Sequence, residues 1–300
     1  MRKIKKKIIK FIDRLLIHTA FYQKTEQNEK VLRRAININY LLTPEVLPLT
    51  KDSKRILVST ECSDGYENVN FNISKDDLMF HFWLHHTGSI NNALVGYIKS
   101  GIEHANIIKS IVSDTFGTTD IEVLDFASGH GRVSRFLCTF LPRENVTVSD
   151  IKKSAVLFQQ TILNLKGFNS PNDPTDLNVE KKFDLVVVSS LFTHLNRRLF
   201  VKWITALGKL LNKNGVLALS LHIMKDGAPD GFKYTDSSED DLFPETSENL
   251  SGKNTYGLTY VTKAEFINIL NSSLGFSYKI INEQPWGNSQ ILFSIQKSNF

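Results

Sequence analysis

Two aspartates, one run of small residues and a few histidines are the parts of this 300-residue chain whose types and spacing could do chemistry. Asp125 is followed by Phe126, Ala127, Ser128, Gly129, His130 and Gly131, a stretch in which little side chain blocks the backbone. Such a turn, set between a strand and a helix, lets backbone N–H groups approach a ligand closely. A dinucleotide site would want three glycines spaced G-x-G-x-x-G, so that a pyrophosphate can touch backbone at the helix N-terminus. Here Gly129 and Gly131 are followed by Ser134, so the third glycine is missing. The strand also ends in an acid. The Asp125 carboxylate would repel a pyrophosphate and attract an ammonium group.

Elements must place these residues. Ile121, Val123 and Leu124 read as a buried strand running into Asp125, and Arg132 opens a segment with Val133, Phe136 and Leu137 at helical spacing. Strand and helix then alternate. Val146–Val148 is a strand ending at Ser149-Asp150, Lys152 to Leu165 is a helix, and an apolar piece surrounds Phe168 before the Pro171–Pro174 loop. Phe183 to Val188 is an apolar β-branched run, expected of a strand covered on both faces. Arg197 to Leu211 is a helix, Asn212 to Gly215 its polar exit, and Val216 to His222 a further strand. This order predicts a parallel sheet with right-handed crossovers, in which ligands bind at the carboxyl ends of the strands. Residues 224–258 are rich in Gly, Ser, Asp, Glu and Asn and read as a long lid-like loop. Thr262 caps a helix from Lys263 to Leu270, and Phe276–Glu283 with Gln290–Gln296 form a closing strand pair around Trp286-Gly287-Asn288.

The first 115 residues read as mostly helical. Residues 2–20 set isoleucines, leucines and Phe11 among lysines, an apolar face with basic flanks. Two readings stay open for it: a helix lying on an anionic membrane surface, or a terminal helix packing on the body. Asn28–Leu42 is a second helix, Arg55–Thr60 a short strand and Ser63-Asp64-Gly65 a turn. Ser74 reads as the cap of a helix through Leu78, Phe80, Phe82 and Trp83, and two helical segments between Ile90 and Val112 meet near Ser100-Gly101. The expected division is a basic amphipathic helix over 1–25, a helical cap over 26–115, and a ligand-binding domain over 116–300 with the lid inside it.

The net charge of +5 is misleading as an average, because residues 1–14 alone carry seven basic groups and one acid. The remainder sums to −1, so the body lacks the basic field of a nucleic-acid binder. Two lone cysteines, Cys62 and Cys138, argue against a zinc framework or disulfides and fit a reducing compartment. No apolar run reaches membrane-spanning length. These features give the expectation of a cytoplasmic protein, with peripheral contact at the inner membrane face if the 2–20 helix binds lipid. Oligomeric state is not legible.

Asp125 ahead of small residues at 127, 129 and 131 resembles the first motif of class I S-adenosylmethionine-dependent methyltransferases, D-x-G-x-G-x-G, with Ala127 in place of the first glycine. Phe183 to Leu195, ending Ser-Leu-Phe-Thr-His-Leu, is similar to the fourth-strand segment of a bacterial subgroup. Leu211 to Leu217 resembles that fold's helix-to-fifth-strand connection, and Trp286 to Gln290 its closing hairpin. The resemblance covers about 118–297. It implies a Rossmann-like, doubly wound α/β fold: a mostly parallel seven-stranded sheet with an antiparallel C-terminal hairpin, preceded by an N-terminal helical extension.

The resemblance also implies S-adenosylmethionine as cofactor and methyl transfer to an O or N atom of a small molecule, with a sugar of a bacterial surface glycan or a lipid-linked glycan as the best guess for the acceptor. In the family the glycine turn, here Asp125 to Gly131, holds the methionine part of the cofactor. The acid ending the second strand, matched by Asp150 with Ile151 beside it, binds the ribose hydroxyls. Asp173 is the match for an acid near the adenine amino group. Ser190 and Leu191 follow the fourth strand, where backbone lines the cofactor. His194 and His222, after the fourth and fifth strands, are the candidate bases, since imidazole titrates near neutral pH. His130 is expected to contribute backbone. His81, His85 and His86 with Trp83 read as a structural cluster rather than a substrate wall, and no metal is expected. Two other readings stay open: a non-catalytic module that keeps the fold, and an NAD-dependent oxidoreductase.

Overall fold

The computed structural model describes residue 66 and residues 68–225, 231–236 and 256–298. The expected helices at 2–20 and 28–42, the strand at 55–60 and the turn at 63–65 lie outside these residues.

Among the described residues, two helices precede the sheet. Helix α1 (Leu78–Thr87) is capped by Asp77, whose side chain accepts from the N–H groups of Met79 and Phe80 at 2.9 and 3.2 Å. Ser74, the expected cap, instead closes a turn just upstream by accepting from Asp76 N–H. Helix α2 (Ile90–Phe116) is one continuous 27-residue helix, not two segments. Gly101 sits inside it because the helix packs there directly on the chain beyond the glycine turn. A Cβ at 101 would lie 2.5 Å from the Arg132 carbonyl oxygen and 2.8 Å from the Phe136 ring. The glycine marks a close approach, not a break.

The alternating part follows. Its elements are β1 (Val123–Phe126), a single turn of helix α3 (Ser134–Leu137), β2 (Val146–Asp150), α4 (Lys153–Thr161), β3 (Lys166–Asn169), β4 (Phe183–Val188), α5 (Arg197–Lys209) and β5 (Leu211–Leu221). After β6 (Ile223–Met224), β7 (Phe232–Asp236), β8 (Gly257–Thr262) and α6 (Lys263–Ser273), the chain closes with β9 (Tyr278–Trp286) and β10 (Gln290–Lys297). The main sheet has seven strands in the order β3-β2-β1-β4-β5-β10-β9. Strands β1 to β5 pair in parallel, and β10 is antiparallel to both β5 and β9. This is the doubly wound sheet with an antiparallel C-terminal pair that the sequence predicts. Strand order reverses between β1 and β4, the place where such sheets open a crevice.

Alternate residues of each central strand feed two separate cores. Val123, Val148, Leu185, Val187 and Ala218 face α2 and α3, while Leu124, Phe126, Val186, Val188 and Leu219 face α5 and α6. Burial on both faces explains why β4 and the second half of β5 read as continuous apolar runs. The stretch 224–258 is not an uninterrupted loop. Strand β7 and the start of β8 fall inside it, and β6, β8 and β7 form a second, three-stranded sheet. Positions 226–230 and 237–255 lie outside the described residues. Among the described residues, no helix is long and apolar enough to cross a membrane.

Candidate active site

A cavity of about 240 Å³ opens at the carboxyl ends of β1, β2 and β4. Each strand delivers its last residues to the wall: Asp125 to Gly129, Asp150 to Lys152, and Ser189 to Leu191.

The turn after β1 is hooked onto the end of β2. Ser128 N–H and its hydroxyl both donate to Ser149 O, at 3.0 and 3.2 Å, and Gly129 N–H donates to Asp150 Oδ2 at 2.8 Å. Three residues are left-handed: Ala127 (φ 56°), Gly129 (φ 58°) and Gly131 (φ 75°). The two glycines serve different ends. At Gly129 a Cβ would meet nothing, so only the backbone angle favours glycine. At Gly131 a Cβ would come within 2.6 Å of Leu163 and 2.8 Å of the Gln159 side chain. Gly131 therefore packs the turn against its neighbours and is not part of the cavity wall, a correction to its expected ligand contact. Ala127 holds the left-handed conformation without a glycine, at a cost of about 1–2 kcal/mol. Ser190 does the same after β4 (φ 61°), fixed by Ser220 Oγ accepting its N–H at 2.7 Å. Two strained non-glycine residues on one cavity wall are what a functional site shows.

The two acids are both buried but differently satisfied. Asp150 accepts from Gly129 N–H and from Lys152 N–H, one bond on each oxygen, which leaves lone pairs for further donors. Burial pushes its carboxyl upward, against those two bonds. Asp125 accepts from the Ser134 hydroxyl through Oδ2 at 2.6 Å, and its buried Oδ1 has no partner. Burial pushes this carboxyl up to about 6, against the opposing pull of Ser134 and Arg132. The serine that stands where a dinucleotide motif has its third glycine is thus the tether of the acid.

Arg132 lines the same cavity, where its guanidinium is shielded by protein. Nη1 donates to Ser100 Oγ at 3.1 Å and to His104 Nδ1 at 3.2 Å, and Nε has no partner. His104 can accept only because it is neutral. Burial first, then the neighbouring guanidinium, hold its pKa down at about 3. No carboxylate of the described residues forms an ion pair with Arg132. Three residues of one wall thus keep unused hydrogen-bonding capacity: Asp125, whose buried Oδ1 has no partner, Arg132, whose buried Nε has none, and Asp150, an acid with spare acceptors. Cations, anions and hydroxyls of a single ligand could each be matched there.

His194 reaches the cavity from the loop after β4. Its Nδ1 lies 2.8 Å from Gly257 O and its ring stacks on Tyr256 at 4.6 Å. A carbonyl can only accept, so Nδ1 carries the proton and Nε2 is the basic nitrogen of the neutral ring. Gly257 N–H donates back to His194 O at 2.7 Å, which clips β8 to this loop. Leu191 and Ile151 line the cavity, and the His130 side chain is buried at its back, near Phe158.

Two expected site residues are elsewhere. Asp173 is off the cavity and caps the short turn Pro174–Asp176, accepting from both the N–H and the hydroxyl of Thr175. Those bonds, with Lys202 at 3.2 Å, hold its pKa at about 2. His222 is also off the cavity, with Nδ1 3.3 Å from Thr259 O and its ring stacked on Tyr260. His81 and His86 hydrogen-bond to Lys75 O and Phe82 O, and neither these histidines nor Trp83 lines the cavity. Among the described residues no group of three or more His, Cys, Asp or Glu is placed to hold a metal ion. Cys138 is half-buried, with its thiol raised to about 11 by burial, which makes it a poor nucleophile.

Sequence reasoning missed part of the wall. Asp77, Leu78 and Met79 enter it from the start of α1, and Tyr256 from the start of β8. Neither carries a local motif; they arrive through tertiary folding. Arg132 was visible only as the residue opening a helix.

Comparison with known proteins agrees with this geometry. Residues 124–217, from β1 through the middle of β5, match the family model described as a methyltransferase domain. No curated protein matches the sequence. Among solved structures, the chain is similar to a 1,6-didemethyltoxoflavin-N1-methyltransferase from Burkholderia thailandensis, at 15% identity, covering 88% of this chain and 99% of that one with a TM-score of 0.48. It is similar to an amino pentose methyltransferase from Micromonospora echinaspora, at 15% identity, 66% and 92% coverage and a TM-score of 0.48. A glycopeptide N-methyltransferase matches at 15% identity, 65% and 89% coverage and a TM-score of 0.45. At these scores the likenesses add nothing to what the residues show. Residues 124–217 are therefore identified as a methyltransferase domain.

Proposed function

We propose that this protein moves a methyl group from S-adenosylmethionine to an oxygen or nitrogen atom of a small molecule. One observation carries the reading: the cavity wall combines Asp125 with an orphaned Oδ1, Arg132 with an orphaned Nε, and Asp150 with acceptors to spare. The cofactor's amino-acid part bears an ammonium and a carboxylate, which match the first two. Its ribose bears two hydroxyl donors, which match Asp150. An orphaned buried charge costs several kcal/mol, so a ligand that supplies both partners is strongly favoured over one that supplies neither. A pyrophosphate would set negative charge against both aspartates. The same fit disfavours a nicotinamide dinucleotide.

When bound, the cofactor supplies an activated methyl group on a good leaving group. The chain's own residues then have three tasks. The left-handed turn and Asp150 fix the donor. Leu78, Met79 and Tyr256 add apolar and aromatic surface to the cavity, which excludes water. His194, oriented by the bond between its Nδ1 and Gly257 O, is the candidate to take a proton from a hydroxyl acceptor. Positioning supplies most of the rate in this scheme, and the base matters most for a hydroxyl.

The resemblance to bacterial glycan and natural-product methyltransferases makes a sugar the acceptor to try first. The test is transfer of labelled methyl from S-adenosylmethionine to nucleotide sugars and lipid-linked glycans, with wild-type protein and His194→Ala. Label in a sugar, with the variant slowed roughly 100-fold, supports the assignment. Label in protein or nucleic acid overturns the acceptor class, and an unchanged kcat removes His194 as base.

A further inference from the structure

The glycine turn is held from behind by a residue that the chemistry above does not use. Arg135 lies in α3 and is buried, with 3% of its surface exposed. Its guanidinium contacts two separate parts of the chain. Toward the turn, Nε donates to Gly131 O at 2.9 Å and Nη2 to His130 O at 3.2 Å. Toward the N-terminal segment, Nη1 donates to Asn70 O at 3.1 Å and to Asn72 O at 2.7 Å, and Nη2 lies 3.5 Å from the Tyr97 hydroxyl. All five N–H donors of the fork are thereby committed. No carboxylate of the described residues forms an ion pair with this guanidinium.

The contact continues to the cavity. The Tyr97 hydroxyl gives its proton to Asp77 Oδ2 at 2.5 Å, and the other Asp77 oxygen caps α1. Asp77 and the next two residues line the cavity. A single connected network thus runs from the turn carbonyls through Arg135 and Tyr97 to the helix start on the same cavity. The direction of the carbonyls matters. The C=O and N–H of a peptide unit point opposite ways, so drawing the Gly131 carbonyl toward Arg135 turns the Arg132 N–H away from it. Lysine could not do this, because one ammonium cannot span five acceptors in a plane.

We infer that Arg135 is a positioning residue: it makes the N-terminal segment part of the cofactor site, so that ordering of residues 70–88 and binding at the glycine turn are coupled. This rests on the methyltransferase reading of the cavity. The coupling is reciprocal, since a segment that stabilises the turn for ligand must itself be stabilised by ligand.

The test uses the full chain, S-adenosylhomocysteine as probe, and two variants, Arg135→Lys and Tyr97→Phe. Calorimetry is run at a temperature where near-ultraviolet circular dichroism shows each protein folded. Arg135→Lys is expected to bind about tenfold or more weakly, with Tyr97→Phe in between. Amide exchange in residues 70–88 is expected to slow on ligand addition in wild-type protein and to slow less in both variants. A merely structural role would lower Tm but leave the affinity of the folded protein and this exchange response unchanged. Should Arg135→Lys fail to fold, Tyr97→Phe, which keeps the ring, decides alone. Wild-type binding with unaltered variants rejects the inference. Absence of wild-type binding rejects it together with the reading on which it rests.

Discussion

Asp125 is the residue at which physical chemistry and function meet most closely. Its carboxyl is raised to about 6 because it is buried, so between the ordinary carboxylate range and about pH 6 the folded protein holds a proton that the unfolded chain has released. Stability from this group is present at low pH and is lost as pH rises through about 6. Urea unfolding of wild type and Asp125→Asn should therefore diverge in favour of the variant by on the order of 2 kcal/mol between pH 4 and pH 6, and run parallel above pH 7. A constant gap would contradict the buried, poorly matched carboxylate. Ligand binding has the opposite sign, because an ammonium prefers the ionised acid: affinity for S-adenosylhomocysteine should fall as pH drops below about 6. Ala127 is the second residue-scale case. Its left-handed backbone costs an alanine about 1–2 kcal/mol, so Ala127→Gly should raise stability by roughly 1 kcal/mol after the added freedom of the unfolded chain. A lower Tm in the glycine variant would show that the methyl group makes contacts worth more than the strain. This strain was legible from the motif alone, since alanine stands where glycine is usual. The fates of Asp173 and His222 were not: each lies near the expected strand end, but a neighbouring Thr175 or Thr259 engages it first.

At the scale of elements, the central strands β1, β2 and β4 were located because they are buried on both faces and read as short apolar runs. Gly101 was misread for a physical reason. A glycine inside a helical pattern signals either a break or a close approach, and local sequence cannot distinguish them. Here α2 approaches the Arg132 carbonyl. Gly101→Ala should gain roughly 1 kcal/mol of helix propensity and lose more to the clash, for a net loss of about 1–3 kcal/mol in chemical denaturation. A neutral or stabilising result would mean that α2 can shift without disturbing the turn. The β6–β8–β7 sheet was hidden because its strands are short and separated by polar stretches, so composition favoured a loop.

For the whole molecule, the parts of the cavity from β1, β2 and β4 are contiguous in the sequence motifs, while the parts from α1 and β8 come from distant segments. That is why this part of the wall was legible in the sequence and the rest was not. The central claim is that this cavity holds S-adenosylmethionine, with Asp150 taking the ribose. Calorimetric titration of S-adenosylhomocysteine into wild-type protein and Asp150→Ala tests it most directly. The account predicts one site per chain in wild type and binding weaker by about 1–3 kcal/mol in the variant, the loss of a matched polar contact. No binding to wild type, or equal affinity in the two proteins, would contradict it.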